Sequence, residues 1–219
     1  MHTTLNTHDD DLLSALHGAE ALYCAGTATH SVRVGLICGL LAETLGLSTP
    51  DIDAMGWVGI LHDIGKLAVP VEVLRKKGPL TADEWEDVKK HPAVGSDLVL
   101  AFSPGLAPVA RGIRAHHERW NGSGYPDARD GFDIPVFGRI VAISDVFDAL
   151  THRRGYRQGK FSHREAVEFV IEEANRAFDP ELVRVFAELD RRGALPQSGP
   201  DRPEAPLAAL GSRARPATD

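Results

Sequence analysis

Ile60-Leu61-His62-Asp63-Ile64-Gly65-Lys66 joins an apolar run to a histidine–aspartate pair, then to a glycine and a lysine. Just upstream, Thr49-Pro50 supplies a helix start with proline in the first turn, so the spacing predicts a helix through Trp57 and Leu61 that ends at His62-Asp63 against Gly65. An aspartate at a helix C-terminus opposes the helix dipole and calls for a cation, either Lys66 or a metal ion.

The pattern remains helical outward from this stretch. Leu12, Leu13, Leu16 and Ala19 recur at helical spacing over about 9–24. Val34, Ile37, Leu41 and Leu45 do so over about 29–45, where Gly46 is a C-terminal stop. Residues 65–78 read as irregular, with a short apolar turn at Val71-Val73-Leu74. Thr81-Ala82-Asp83-Glu84 has capping-box spacing and opens a helix that ends near His91, because Pro92 disfavours the α region for its predecessor, and Pro92 itself can begin the next helix. Further helices are expected over about 106–117, 135–150, 163–178 and 180–191, and the Gly/Pro-containing stretch 119–134 is a loop. No strand pattern or internal repeat is present. The expectation is an all-α single helical bundle: a lead-in helix in 1–25, the main domain in 26–192, and a disordered Pro/Ala/Arg-rich tail in 193–219.

Composition narrows the function. The formal charge of −7, from 24 basic and 31 acidic residues, argues against a surface for polymeric nucleic acid or anionic lipid, while leaving room for a phosphate-bearing small molecule at a cationic site. No apolar run approaches a membrane span and no secretory signal is visible, so the expected location is cytoplasmic. Cys24 and Cys38 lack metal-ribbon spacing and read as reduced thiols.

Histidines and aspartates then carry the chemistry. His30 shares a helical stripe with Val34, Ile37 and Leu41, where a lone histidine is ordinarily a core residue. His91 precedes Pro92 and would serve equally as a helix terminator. Adjacent helical residues point about 100° apart, so His116 and His117 converge on one ion only if their helix ends there. Asp145 interrupts the apolar segment Ile140-Val141-Ala142-Ile143-Ser144 and Val146-Phe147, where an unpaired carboxylate is costly. A cation would satisfy it, as would an ion pair with Arg139 or Arg111. Asp148 shares its face.

Two motifs together, His62-Asp63-Ile64-Gly65-Lys66 and the run His116-His117-Glu118-Arg119-Trp120-Asn121-Gly122-Ser123-Gly124-Tyr125-Pro126, resemble the HD-GYP subgroup of the HD-domain metal-dependent phosphohydrolases. The resemblance implies two divalent metal ions (iron or manganese, with zinc an alternative) and hydrolysis of cyclic di-GMP to pGpG or GMP by a metal-activated hydroxide. It also implies a ligand set. His30, His62, Asp63 and Asp145 would hold one ion, and Asp63, as a bridge, with His91, His116 and His117 the other. Asp63 and Lys66 would be catalytic, with Lys66 on a substrate phosphate. Gly122, Gly124, Tyr125, Pro126, Asp148, Arg154 and Arg157 would contact substrate. Gly26 stands where members with a third metal have glutamate, which implies a binuclear centre, and Asn121 replaces the usual aspartate. No upstream receiver or sensory domain is visible, so input is expected from a partner or from the first helix. A regulatory partner at the 119–134 loop and a homodimer are both compatible with this reading. Rival readings are a catalytically weak cyclic di-GMP receptor, a phosphohydrolase for another nucleotide, and a metal-free helical domain.

Overall fold

Helix starts follow the capping chemistry. Ser48 accepts from the Asp51 amide, Thr81 and Glu84 close a reciprocal capping box, Ser162 and Glu165 close a second, and Asp179 accepts from Glu181 N at 2.8 Å. The computed structural model describes residues 7–23, 28–152 and 161–196. Their helices are α1 (Thr7–Tyr23), α2 (Ala28–Thr44), α3 (Thr49–Leu61), α4 (Val71–Leu74), α5 (Ala82–Lys89), α6 (His91–Phe102), α7 (Ala107–Arg114), α8 (Val136–Thr151), α9 (His163–Glu172) and α10 (Pro180–Arg191), with a 3-10 turn at Ile64–Ala68 between α3 and α4. No strand forms among the described residues, only two isolated bridges. The all-α expectation holds.

α5 ends and α6 begins at the break expected before Pro92, with Lys90 between them and His91 opening α6. Two boundaries differ from the spacing, each for a local reason. α7 stops at Arg114, so His116 and His117 lie beyond its end in a turn. α9 stops at Glu172: Asn175, at φ 64°, reverses the chain, and its amide donates to Phe178 O at 2.9 Å. That reversal anchors the 119–134 loop, since Trp120 N donates to Ala177 O and Asn121 N to Arg176 O, at 3.0 and 3.1 Å. The packed chain also runs past 192: Leu195 is buried in the core. The remainder of the expected tail, with Cys24, Gly26, Arg154 and Arg157, lies outside the described residues.

α2 and α3 pack together, α8 packs across α2, and α7 packs on α3 and α8. Leu41, Met55, Ile60, Val141, Phe147 and Phe186 fill the space between elements. α1 lies over the 3-10 turn and α3 with Leu13 buried. It is tied down by Trp57 Nε1 donating to Asp10 Oδ1 (3.1 Å) and by the Tyr23 hydroxyl donating to Val69 O (2.9 Å).

Gly65 sets how closely the 3-10 turn meets α6. A Cβ there would stand 1.9 Å from His91 O and 2.6 Å from Gly95 N, both main-chain atoms that cannot turn aside. Only glycine lets Asp63 and His91 approach through this contact. Gly65→Ala should therefore destabilise the fold by about 3 kcal/mol or more, at the upper end of overpacking costs. Urea denaturation checks this, and a variant within about 0.5 kcal/mol of the parent would show that the contact yields cheaply.

Candidate metal centre

Three helices end on the site, and a histidine follows each. His62 Nδ1 donates to Gly59 O at 2.8 Å, His91 Nδ1 to Val88 O at 2.7 Å and His116 Nδ1 to Ile113 O at 2.7 Å. A carbonyl only accepts, so each Nδ1 carries a proton and each ring turns its Nε2 inward. His30 follows another rule. It sits in the first turn of α2, and its Nδ1 donates to Asp148 Oδ2 at 2.6 Å, leaving Nε2 3.1 Å from Asp145 Oδ1.

The inward atoms form two donor sets. Nitrogens and oxygens of Asp63, His91, His116 and His117 lie within 4.8 Å of one another, as do those of His30, His62 and Asp145. Asp63 touches both sets: its Oδ1 is 3.3 Å from His91 Nε2 and its Oδ2 is 3.5 Å from His62 Nε2.

Local electrostatics show what fits here. His91 Nε2 and His116 Nε2 stand 3.1 Å apart, lone pair facing lone pair, and the buried His62 Nε2 has no hydrogen-bond partner although Asp63 and Asp145 flank it. Burial lowers His62; burial and the neighbouring rings His117, His91 and His62 hold His116 well below the usual histidine range; burial and His91 bring His117 down to about 3. These rings are neutral at pH 7, the form that ligates. Burial alone would raise the Asp63 carboxyl, but Lys66, His62 and His91 outweigh it and hold it ionised, with the Lys66 ammonium resting on Asp63 Oδ2. Converging lone pairs and ionised carboxylates in a dry site repel one another unless a cation lies among them, and imidazole with carboxylate suits first-row divalent ions. The residues fit the metal that the resemblance implies.

The alternative ion pair for Asp145 does not form. Arg139 Nη1 lies 2.5 Å from Asp179 Oδ2 and its Nε donates to Ile134 O, while Arg111 is at the surface.

A cleft of about 680 Å³ opens over the centre. His116, His117 and Asp145 line it, with Trp85, Lys89, Arg119, Tyr125 and Arg176 among the surrounding side chains. The Tyr125 ring packs on His117 (centroids 4.8 Å apart) and meets Trp85 edge-on, and burial together with Asp63 and Asp145 keeps its hydroxyl protonated.

The residues expected to contact substrate stand at different depths from the cleft. Asp148 is buried and fully engaged: it accepts from His30, from Arg33 Nε at 2.6 Å and Nη2 at 2.9 Å, and pairs with His152 Nδ1 at 3.1 Å. Its place is behind His30. Gly124 lines the cleft, but what requires glycine is the loop itself, since a Cβ would meet Arg119 N at 2.4 Å and His117 O at 2.6 Å. Gly122 and Pro126 stand behind the lining. Asn121 uses its side-chain oxygen to accept from the Ser123 amide and hydroxyl, shaping the turn.

Sequence reasoning missed Glu118. Buried, it accepts from Asp127 N at 2.7 Å and Arg129 N at 3.1 Å, pinning the loop beside His117. It also missed Arg33 and His152 around Asp148. Arg33 stands three residues after His30 on the same helix, and that spacing was the available signal.

Fold and site together define a helical domain built around a histidine–aspartate cluster able to hold metal ions. Residues 20–182 match the family model described as HD domain. The chain belongs to the HD domain family, in the HD-GYP subgroup that its two motifs resemble. It is 40% identical over 163 residues to "3'3'-cGAMP-specific phosphodiesterase 2" of Vibrio cholerae, covering 74% of this chain and 31% of that protein. It is 39% identical over 174 residues to "Cyclic di-GMP phosphodiesterase response regulator RpfG" of Xanthomonas campestris, covering 79% and 46%. The chain thus spans less than half the length of these relatives. Among solved structures, a cyclic GMP-AMP phosphodiesterase of V. cholerae (V-cGAP3) shares the fold with a TM-score of 0.64 at 22% identity, over 93% of this chain and 51% of that one.

Two outcomes follow from this geometry. Below about pH 6.5 the unfolded chain protonates histidines that the fold keeps neutral, so the unfolded state binds more protons and stability falls with pH. In the presence of a chelator, unfolding free energy should drop between pH 7.5 and 5.5 by at least one proton's worth, about 1.4 kcal/mol per pH unit; a flat profile would contradict the neutral-ring assignment. Asp63, held low, does not titrate in this window, and Glu20, raised to about 8, offsets part of the fall because the fold takes up its proton first. Separately, Asp148→Asn should weaken Mn²⁺ binding by about 10- to 100-fold through a loosened His30, as calorimetry would measure, and parent-like affinity would remove Asp148 from that role.

Proposed function

We propose that this protein is a metal-dependent phosphodiesterase that hydrolyses a cyclic dinucleotide, cyclic di-GMP, to pGpG or GMP. The observation that carries the reading is the pair of donor sets joined at Asp63 beneath a cleft with aromatic and cationic walls. The volume of that cleft is within the about 300–1,000 Å³ usual for small-molecule sites. The names of the relatives, which act on cyclic di-GMP and on 3'3'-cGAMP, support the same class of substrate.

Two divalent ions, iron or manganese and alternatively zinc, would be held by His30, His62 and Asp145 on one side and by His91, His116 and His117 on the other, with Asp63 shared. When bound, such ions supply Lewis acidity and activate water for attack on phosphorus. The chain's own residues do the rest. Main-chain carbonyls and Asp148 keep the imidazoles in the ligating tautomer. Lys66, next to Asp63, would meet a non-bridging phosphate oxygen and stabilise charge growing there. Lys89, Arg119 and Arg176 offset the phosphate charge at the cleft, while Trp85 and Tyr125 present ring faces to purines. Tyr125, kept protonated, donates rather than accepts. Arg154 and Arg157, proposed as further substrate contacts, follow α8 outside the described residues. The domain limits 26–192 and a cytoplasmic setting belong to the same proposal; among the described residues no helix is long and apolar enough to cross a membrane. A regulatory partner at the 119–134 loop would meet Phe132, which is 76% exposed.

The 40% identity to a protein named for 3'3'-cGAMP favours that dinucleotide as the second reading. Chromatography of products from both dinucleotides, using anaerobically prepared protein loaded with Mn²⁺ or Fe²⁺, separates the two. Linear product from cyclic di-GMP at the faster rate is expected. Asp63→Ala should lose metal and turnover together, by more than the about 10- to 100-fold typical of a supporting residue. Tight dinucleotide binding without any product from metal-replete protein would replace the enzyme with a receptor.

A further inference from the structure

Glu20 is a buried carboxylate that neither donor set includes. It lies in the last turns of α1, is 1% exposed, and neither of its oxygens has a hydrogen-bond partner. The helix that carries it packs on the 3-10 turn directly after Asp63 and is held there by the Tyr23–Val69 hydrogen bond. Burial, and after it the charge of Asp63, raise its carboxyl to about 8, while Lys66 and His30 act the other way, so the groups that bear on it are those of the centre. The obvious counter-ion is already engaged, because the Lys66 ammonium rests on Asp63. A carboxylate with two unsatisfied oxygens in a dry interior is costly, and buried carboxylates are normally paired or ligated to a cation. Asp63 and the imidazoles already define a place for such a cation next to the turn on which α1 packs.

We propose that Glu20 is an additional carboxylate ligand, delivered by α1 to the Asp63 side of the centre, so that metal loading and the docking of α1 are linked. This rests on the metal reading above. Linkage is reciprocal: an ion that gains a ligand from α1 holds the helix down, and anything that lifts α1 weakens the ion by the same factor. α1 spans 7–23 whereas the family match begins at residue 20, so most of this helix lies ahead of the matched span. The arrangement gives the centre an input from outside the bundle that carries the other ligands.

The test uses the full chain and Mn²⁺ alone, with Glu20→Gln and Glu20→Leu. Both variants should bind Mn²⁺ about tenfold more weakly or worse. Glu20→Leu removes a buried unsatisfied carboxylate, so its metal-free form should melt above the metal-free parent, yet gain less on adding Mn²⁺. Amide exchange in α1 should slow severalfold on loading in the parent and stay unchanged in Glu20→Leu. With Co²⁺ as the probe, Glu20→Gln should alter the visible absorption, which reports the ligand set. Parent-like Mn²⁺ affinity in both variants, or an unchanged cobalt spectrum at full occupancy, overturns the role of Glu20 alone. A parent that binds no divalent ion overturns the metal reading and this inference together.

Discussion

The ends of α3, α5 and α7 converge on one point, and the carbonyls of their last turns have no partner within the helix. At each end a histidine closes the gap: His62 on Gly59, His91 on Val88 and His116 on Ile113. This single arrangement caps three helices, fixes three tautomers and aims three lone pairs inward. It also brings the negative ends of three helix dipoles to a site that already contains Asp63 and Asp145. Caps and carboxylates thus concentrate negative potential where ligating atoms gather, and the core around them has little freedom to relieve it. The positive charge that the structure itself supplies there, Lys66 on Asp63, leaves the His91–His116 contact and the His62 nitrogen unanswered.

This also explains what could be read from the chain and what could not. Cap residues and apolar periodicity act locally, so the starts of α3, α5 and α10 and the extents of α2 and α8 were legible from spacing alone. The ends of α7 and α9 were not, because they are decided by partners distant in sequence. α7 gives way where His116 turns back on Ile113, and α9 gives way where residues 176 and 177 accept from the 119–134 loop. The centre itself was legible to an unusual degree. His30, His62, Asp63, His91, His116, His117 and Asp145 were each an anomaly in place, a polar group at a helix end or on an apolar face, and the fold brings all seven together.

Residues that shape the centre without standing in it left no such trace. Glu118 follows His117 in the motif and looks like another exposed acid of the loop, yet its carboxylate is consumed by two loop amides. Glu20 sits on the apolar face of α1 with nothing nearby in sequence to mark it. Asp148 shares a helical face with Asp145, yet its partners lie behind His30 and against Arg33, which nothing in the local sequence marks.

That placement makes the two halves of the centre chemically unlike. His30 lies in the first turn of α2, and its Nδ1 donates to Asp148 where His62, His91 and His116 donate to main-chain carbonyls. A carboxylate from α8 takes the carbonyl's place. A carboxylate polarises an imidazole more strongly than a carbonyl does and raises its basicity as a ligand. Against the cost of its burial, His152, His30 and Arg33 lower the Asp148 carboxyl and keep it ionised, so the polarising charge stands behind His30 at neutral pH. The His30 side therefore has the more electron-rich nitrogen and the His91–His116–His117 side has more nitrogens, an inequality that follows from what stands behind His30 as much as from the ligands themselves.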